Sequence, residues 1–212
     1  MELTSLKPFG PAILKARIPE KIITDINNHI DEIILNKEKS TALDFGKNLA
    51  GDVTQEFLLT PEFIKDVGWL DFLGKCVFSW IKKELNKEIK KFNVLSSWVV
   101  RQYQHEYNPV HWHTGHISGA GFLKVPKNFG DYSQKNQKIG KEYVGGNLNL
   151  IHGSKMFLSE SLLSIRPEVG DFYFFPNYLM HTVYPFKNTN EERRSISFNG
   201  IIDERIHDIY FG

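Results

Sequence analysis

The sequence predicts a mainly antiparallel β fold, a sandwich or a barrel, with helices that cover the outer face of one sheet. Helical periodicity is confined to about the first ninety residues, and from Val94 the apolar residues shift toward a period of two. Several short strands follow there without a helical pattern between them, which is typical of antiparallel sheets. At 212 residues the chain is too short for two ordinary enzyme domains. We therefore expect one domain over residues 1–212, mostly helical over 1–93 and with a β core over 94–202.

Two amphipathic helices are predicted in the N-terminal part. The first begins at Pro19 and has one isoleucine stripe at three- and four-residue steps: Ile22, Ile23, Ile26, Ile30, Ile33 and Ile34. The second has a mixed stripe: Trp69, Leu70, Leu73, Val77, Trp80, Ile81 and Leu85. It is predicted to end in a lysine-rich stretch at 87–91, which suits a solvated helix C-terminus. Neither helix carries a cluster of candidate catalytic or metal-binding residues, so we expect both to pack against a sheet.

Six strands are predicted in the β core, separated by Gly, Pro, Asn and Asp residues. They cover residues 95–104, 116–125, 147–151, 171–176, 180–185 and 193–202. The polar segment 127–141 is predicted to be a surface loop and is a candidate lid.

The composition excludes several classes of function. Lys and Arg number 26 against 25 Asp and Glu, so the net charge of +1 does not favour nucleic acid as a partner. No apolar run is long enough for a membrane span, and the first residues lack the features of a signal peptide. The single cysteine, Cys76, excludes an internal disulfide and most cysteine-based metal sites. We expect a cytoplasmic protein without membrane contact, and the oligomeric state stays open.

The histidines at 111, 113 and 181 are the candidate metal ligands. His111 and His113 are two residues apart, so in extended chain they project to the same side, within reach of one cation. Alone, such a pair is more often two surface histidines than a metal site. His181 follows a strongly apolar predicted strand and begins another. A histidine without a function is uncommon in such a position. On the strand before the pair, Gln102 or Tyr103 should face the cavity, and parity alone does not choose between them.

The last predicted strand has a polar face that suits a carboxylate. Alternation puts one polar set on one face: Arg193, Ser195, Ser197 and Asn199. Arg194 points the other way, with Ile196 and Phe198. An arginine and a serine two residues apart can hold a single carboxylate, through a bidentate fork and a hydroxyl donor. The alternative is the outward polar face of an edge strand.

In order and spacing, these motifs resemble the iron(II)- and 2-oxoglutarate-dependent oxygenase superfamily. Within it they are most similar to a family of oxygenases common in marine bacteria and phages. Three stretches carry the resemblance, residues 98–119, 170–181 and 193–199, and it covers roughly residues 94–202. His-x-His is followed 68 residues later by a histidine and, after 12 more, by Arg-x-Ser.

The resemblance implies a double-stranded β-helix, which is a jelly-roll or cupin-like barrel, with iron(II) at its mouth. It implies hydroxylation of a small-molecule or peptidyl substrate with O2, while 2-oxoglutarate is decarboxylated to succinate. At matching positions, His111, His113 and His181 would bind the metal. Arg193 would bind the far carboxylate of 2-oxoglutarate with help from Ser195, and Tyr103 is a further cofactor-binding candidate. A phage-encoded protein of this kind would act in the host cytoplasm.

One position departs from the superfamily's commonest pattern, in which the second ligand is Asp or Glu and not the histidine found here at 113. His113 could bind the metal, turn away and leave a vacant position as in halogenating members, or be replaced by His116. We favour His113, because halogenating members have a small residue at this position. Two other functions stay open: a three-histidine dioxygenase that does not use 2-oxoglutarate, and a non-catalytic barrel that binds a ligand or serves a structural role.

Overall fold

The computed structural model describes residues 3–6, 10–129 and 143–208. The strands are β1 (Leu3–Leu6), β2 (Ile13–Arg17), β3 (Gln55–Leu58), β4 (Phe92–Gln102), β5 (Asn108–His111), β6 (Ile117–Lys124), β7 (Leu148–Ile151), β8 (Leu162–Ile165), β9 (Asp171–Pro176), β10 (Met180–Val183) and β11 (Arg193–Ile202). The helices are α1 (Glu20–Leu35), α2 (Lys37–Ala42), α3 (Pro61–Asp66), α4 (Trp69–Leu85) and α5 (Glu204–His207), with a 3-10 turn at Gly46–Asn48. Most of the candidate lid, residues 127–141, lies outside the described residues.

Two antiparallel sheets form the β part of the molecule. The large sheet has seven strands in the order β1-β2-β9-β6-β11-β4-β3, and the small sheet has four in the order β5-β10-β7-β8. Apolar side chains of both sheets pack together, among them Phe122 and Phe175 of the large sheet with Leu150 and Val183 of the small one. This arrangement confirms the predicted mainly β class. No helix within the described ranges is long and apolar enough to cross a bilayer.

Both predicted helices are confirmed, and both cover the outer face of the large sheet. Helix α1 starts directly after Pro19 and buries one face of its isoleucine stripe: Ile22, Ile26, Ile30 and Ile33. These side chains share a core with Phe172 and Phe174 of β9 and with Phe198 of β11. Each isoleucine so buried contributes about 1.5–3 kcal/mol to the free energy of unfolding. Helix α4 ends at Leu85, where Asn86 adopts a left-handed conformation (φ 52°) just before the lysine-rich stretch.

Five strands were not predicted. β1, β2 and β3 extend the large sheet at its two ends, so residues 1–93 contribute strands as well as helices. They have only four or five residues each, too few to establish a period of two. β5 contains Pro109, which argues against a strand from sequence alone. The structure accommodates this proline because β5 is an edge strand of the small sheet. The fifth, β8, is the other edge strand of that sheet.

Strand β11 positions the polar side chains, and it lies between β6 and β4. Its register with β4 pairs Arg193 with Gln102 and Ser195 with Val100. Arg194 faces the helices, as the alternation predicted. Its guanidinium donates to Asp31 Oδ1 of α1 at 2.6 Å and to Glu192 Oε1 at 2.7 Å.

Candidate active site

The two sheets enclose a cavity of about 230 Å³. Its walls carry the predicted metal-binding and carboxylate-binding side chains together with residues of the 46–51 segment and β3. The lining residues include Ala50, Glu56, Trp98, Asn108, His111, His113, His181, Arg193, Ser195 and Asn199. The polar face of β11 therefore points into a cavity and not into solvent.

The three predicted histidines converge at one end of this cavity. His111 of β5 lies directly opposite His181 of β10 in the small sheet. His113 follows β5, and its backbone is fixed on both sides by Asn177: His113 N–H donates to Asn177 O at 3.0 Å, and Asn177 Nδ2 donates to His113 O at 3.2 Å. One ligand atom from each ring lies within 4.8 Å of the others. His181 lies 68 residues after His113 in the sequence, and the pairing of β5 with β10 brings it beside the other two histidines.

Each ring is held through its Nδ1 atom. His111 Nδ1 donates to the Pro109 carbonyl at 2.7 Å, and His181 Nδ1 donates to the Leu179 carbonyl at 3.0 Å. His113 Nδ1 donates to Asn199 Oδ1 at 2.7 Å. Because these oxygens only accept, each Nδ1 carries the proton and each Nε2 presents a lone pair. Hydrogen bonds of this kind are how proteins orient ligand histidines.

Burial keeps all three imidazoles neutral. It lowers the pKa of His113 to about 4 and that of His181 well below its ordinary value, and the neighbouring histidines add to both effects. Burial also lowers the pKa of His111, against the opposing effect of its bond to Pro109. Neutral imidazole is the form that binds a metal, so protons do not compete for the Nε2 atoms at neutral pH.

The donor set fits a divalent transition metal. His113 Nε2 and His181 Nε2 lie 2.9 Å apart, and two lone pairs cannot form a hydrogen bond with each other. The contact is favourable only with a cation between the rings. Imidazole nitrogens suit iron, copper, nickel and zinc, and three protein ligands leave further coordination positions open.

The second feature of the cavity is a buried cation. Arg193 is 1% exposed, and its guanidinium donates to the Gly146 carbonyl and to Ser195 Oγ, both at 3.1 Å. It also lies 5.2 Å from the Phe122 ring. Within the described ranges no carboxylate pairs with it. Burial lowers its pKa to about 10, so it stays charged at pH 7. A buried, unpaired guanidinium beside a hydroxyl is a site for an anion.

Two other candidates lie elsewhere. Tyr103 does not line the cavity: its hydroxyl accepts a bond of 2.6 Å from Arg101 Nη2 on the other face of β4, so the structure does not support a cofactor-binding role. Of the pair left open by parity, Gln102 lies on the inner side.

His116 is separate from the three histidines. Its Nδ1 accepts from Ile202 N–H at 3.1 Å, which excludes it as a substitute for His113 in this arrangement.

Sequence reasoning missed three side chains of the site. Asn199 orients His113, and its place on the polar face of β11 was the signal that could have found it. Trp98 stacks on His113 at 5.4 Å between ring centroids. Glu56 lines the cavity from β3, and nothing in the sequence marks it, because a charged residue in a short strand normally faces solvent.

The chain is similar to a known protein family. Residues 96–199 match a family model described as "Putative 2OG-Fe(II) oxygenase". No curated protein sequence matches the chain.

Solved structures share the fold at low sequence identity. A prolyl-4-hydroxylase from Pseudomonas putida superposes with a TM-score of 0.57 at 13% identity, over 90% of this chain and 91% of that one. A prolyl hydroxylase from Trichoplax adhaerens, in complex with a hypoxia inducible factor peptide fragment, gives 0.54 at 12%, over 92% and 85%. HygX from Streptomyces hygroscopicus, with nickel, 2-oxoglutarate and hygromycin B bound, gives 0.54 at 11%, over 89% and 81%. These likenesses confirm the predicted double-stranded β-helix.

Proposed function

Because this chain belongs to the iron(II)- and 2-oxoglutarate-dependent oxygenase superfamily, we propose that it is a hydroxylase with a three-histidine iron site. Iron(II) is its cofactor, and 2-oxoglutarate and O2 are its co-substrates, as the resemblance implied. In our proposal His111, His113 and His181 hold the metal, while Arg193 and Ser195 hold the far carboxylate of 2-oxoglutarate. The observation that carries it is the convergence of three Nε2 lone pairs in the same cavity as an unpaired, buried guanidinium.

Bound iron(II) and 2-oxoglutarate would supply the activation of O2, so that one oxygen atom enters a substrate C–H bond and the other enters succinate. The chain's own residues orient and shield these reactants. The carbonyls of Pro109 and Leu179 and the amide of Asn199 fix the three rings, so little reorganisation is needed on binding. Trp98 and Phe175 pack against His113 and keep water from that side of the site.

A histidine in place of a carboxylate changes the charge of the site. Three neutral imidazoles leave bound iron(II) with one more net positive charge than two histidines and a carboxylate do. The anionic co-substrate is then bound more tightly, while the metal itself loses a hard oxygen ligand. We therefore expect weaker retention of iron(II) in the absence of 2-oxoglutarate than in its presence.

The size of the cavity supports a small-molecule or peptidyl substrate. About 230 Å³ is less than the roughly 300–1,000 Å³ of pockets that enclose drug-sized ligands. Beside the co-substrate there is room for a single side chain or a small molecule. Peptide and antibiotic complexes among the structural neighbours are consistent with either class.

The test is iron-dependent conversion of 2-oxoglutarate. The purified protein is incubated with iron(II), 2-oxoglutarate, O2 and a cell extract, and succinate and products that gain one oxygen atom are measured by mass spectrometry. We expect both to require iron and 2-oxoglutarate, to vanish in His113→Gly, and to persist in His207→Ala, which removes an exposed histidine outside the cavity. Oxygen uptake independent of 2-oxoglutarate would instead indicate a three-histidine dioxygenase, and no turnover at all would indicate a binding protein.

A further inference from the structure

Glu56 is a buried acid on the wall of the same cavity, and the proposed iron and 2-oxoglutarate sites do not use it. It lies in β3 at the edge of the large sheet and is only 3% exposed. In the register, Glu56 is opposite Val100 of β4, and Val100 is opposite Ser195 of β11. These residues form one row across the inner face of the sheet. With a strand spacing of about 4.8 Å, the Glu56 backbone lies about 10 Å from that of Ser195.

The Glu56 carboxyl group has no partner in the part of the chain that the structure describes. No hydrogen bond reaches either oxygen, and no lysine or arginine forms an ion pair with it. Burial, together with the nearby Asp44, raises the pKa of Glu56 to about 7. A buried acid without a partner is destabilising, and buried polar groups normally have one. On a cavity wall, the missing partner is the group of a ligand.

The surroundings of Glu56 favour a ligand with several N–H donors. A Cβ atom added at Gly51 would lie 2.9 Å from Glu56 Oε1 and 2.5 Å from Asn108 Oδ1, so two acceptor oxygens face the same small space. A Cβ at Gly46 would lie 3.6 Å from Glu56 Oε2 and 3.3 Å from Asp44 Oδ1. Four oxygens thus surround the 46–51 segment, and three of them belong to the two acids, Glu56 and Asp44.

The two charged side chains of the cavity wall attract ligand groups of opposite charge. Among the lining residues that the structure describes, Arg193 and Glu56 are the only ionisable side chains other than histidine. An anionic co-substrate fits Arg193 and is repelled by Glu56. The complement of Glu56 is therefore a cation that enters beside the co-substrate.

We propose that Glu56, with Asn108, binds a protonated amine of the substrate, and that this enzyme therefore oxidises amine-bearing molecules or side chains. The proposal rests on the function proposed above, since it assigns the substrate class of that site. An ammonium group donates three hydrogen bonds and neutralises the buried acid, whereas its N-acetyl derivative offers one donor and no charge. The site should therefore prefer the amine by at least about tenfold in affinity.

Matched probes test this in the metal-loaded protein. Under nitrogen, the protein with Mn(II) and 2-oxoglutarate is titrated calorimetrically with n-butylammonium and, separately, with N-butylacetamide. We expect the parent to prefer the amine by tenfold or more, and Glu56→Gln to lose that preference while it binds 2-oxoglutarate as the parent does. Glu38→Gln makes the same change at an exposed position on α2 and should behave as the parent.

The same titrations separate this inference from the proposed function. If the parent binds 2-oxoglutarate but not the amine, or binds both probes equally, or if Glu56→Gln keeps the preference, the amine site is wrong and the proposed function stands. If the amine binds through Glu56 while 2-oxoglutarate does not bind, the amine site stands and the proposed function falls. If neither binds, both are wrong.

Discussion

His113 Nε2 lies 2.9 Å from His181 Nε2, with the two rings stacked at an interplanar angle of 13°. Both nitrogens present lone pairs, because the Nδ1 protons are committed to Asn199 and to the Leu179 carbonyl. These two hydrogen bonds thus hold two electron-rich atoms against each other. A metal ion converts this repulsion into two coordinate bonds, so the site is built for a cation before one arrives.

Removing His181 should abolish iron binding and preserve the fold. His181→Ala deletes one of three ligands, whereas the nearby core is formed by apolar side chains such as Phe174 and Phe175. Equilibrium dialysis with iron(II) measures the loss, and circular dichroism with thermal unfolding checks the fold. Near-parent iron affinity in this variant would show that the metal assignment is wrong.

His113 can be tested by restoring the superfamily's commoner ligand. His113→Asp should retain iron(II) and some decarboxylation of 2-oxoglutarate, because a carboxylate suits iron(II) at this position. His113→Gly should lose iron affinity, since no other described histidine can take its place: His116 Nδ1 is committed to Ile202 N–H. Iron affinity is measured in both variants under nitrogen. If His113→Gly binds iron as the parent does, His113 is not a ligand.

Substitution of the two adjacent arginines of β11 by alanine should have different effects on binding and stability. Arg193→Ala should leave iron binding intact and weaken 2-oxoglutarate well over tenfold, since losing a buried charged partner costs about 2–5 kcal/mol. Arg194→Ala should leave 2-oxoglutarate binding near normal. It should lower the free energy of unfolding by about 1.5–3 kcal/mol, because it removes the charged hydrogen bonds to Glu192 and Asp31, while Arg101 still pairs with Glu192. Calorimetry and urea denaturation measure the two effects, and the reverse order would mean that the strand is one residue out of register.

Glu56 should make the metal-free protein less stable as the pH rises. Its pKa is about 7 in the folded protein against 4.5 in the unfolded chain. Between these values the folded state holds a proton that the unfolded state has released, so the free energy of unfolding falls with increasing pH. The loss is nearly complete about one pH unit above 7 and is at most about 3 kcal/mol, because solvent in the cavity screens the carboxylate.

Glu56→Gln cannot titrate and should escape this loss. Urea denaturation of parent and variant at pH 4.5 and pH 8 should show similar stability at the lower pH and a more stable variant at the higher one. All other titrating groups are shared, so they cancel in the difference. Parallel pH dependences in the two proteins would contradict an unpartnered Glu56.

The parts of this molecule that the sequence predicted are those with long, regular patterns. The isoleucine stripe runs from Ile22 to Ile34 in the 16-residue α1, and the alternation runs from Arg193 to Asn199 in the 10-residue β11, so both patterns are long enough to predict an orientation. That alternation predicts that Arg193 points into the cavity and that Arg194 points toward the helices. The three histidines were found because imidazoles at i and i+2 with a distant third suit one cation.

The rest of the fold and of the site depends on pairing between strands that are distant in the sequence, which no local pattern encodes. Strand β3 has four residues, and the inward orientation of Glu56 follows only from its pairing with β4. Tyr103 is a predicted cofactor-binding residue, but it lies on the outer side with Arg101, which donates to its hydroxyl, and only the pairing of Gln102 with Arg193 decides which residue points inward. Asn199 was placed on the correct face, but its bond to His113 needs the tertiary structure.

The most direct test of the account is the absorption spectrum of the protein with iron(II) and 2-oxoglutarate under nitrogen. Chelation of the co-substrate by iron in this site should produce a weak visible charge-transfer band. The band should require both additions, disappear in His181→Ala, and need much more 2-oxoglutarate in Arg193→Ala. A parent protein that binds both molecules without developing the band, or a band that survives in His181→Ala, would contradict the proposed three-histidine iron and 2-oxoglutarate site.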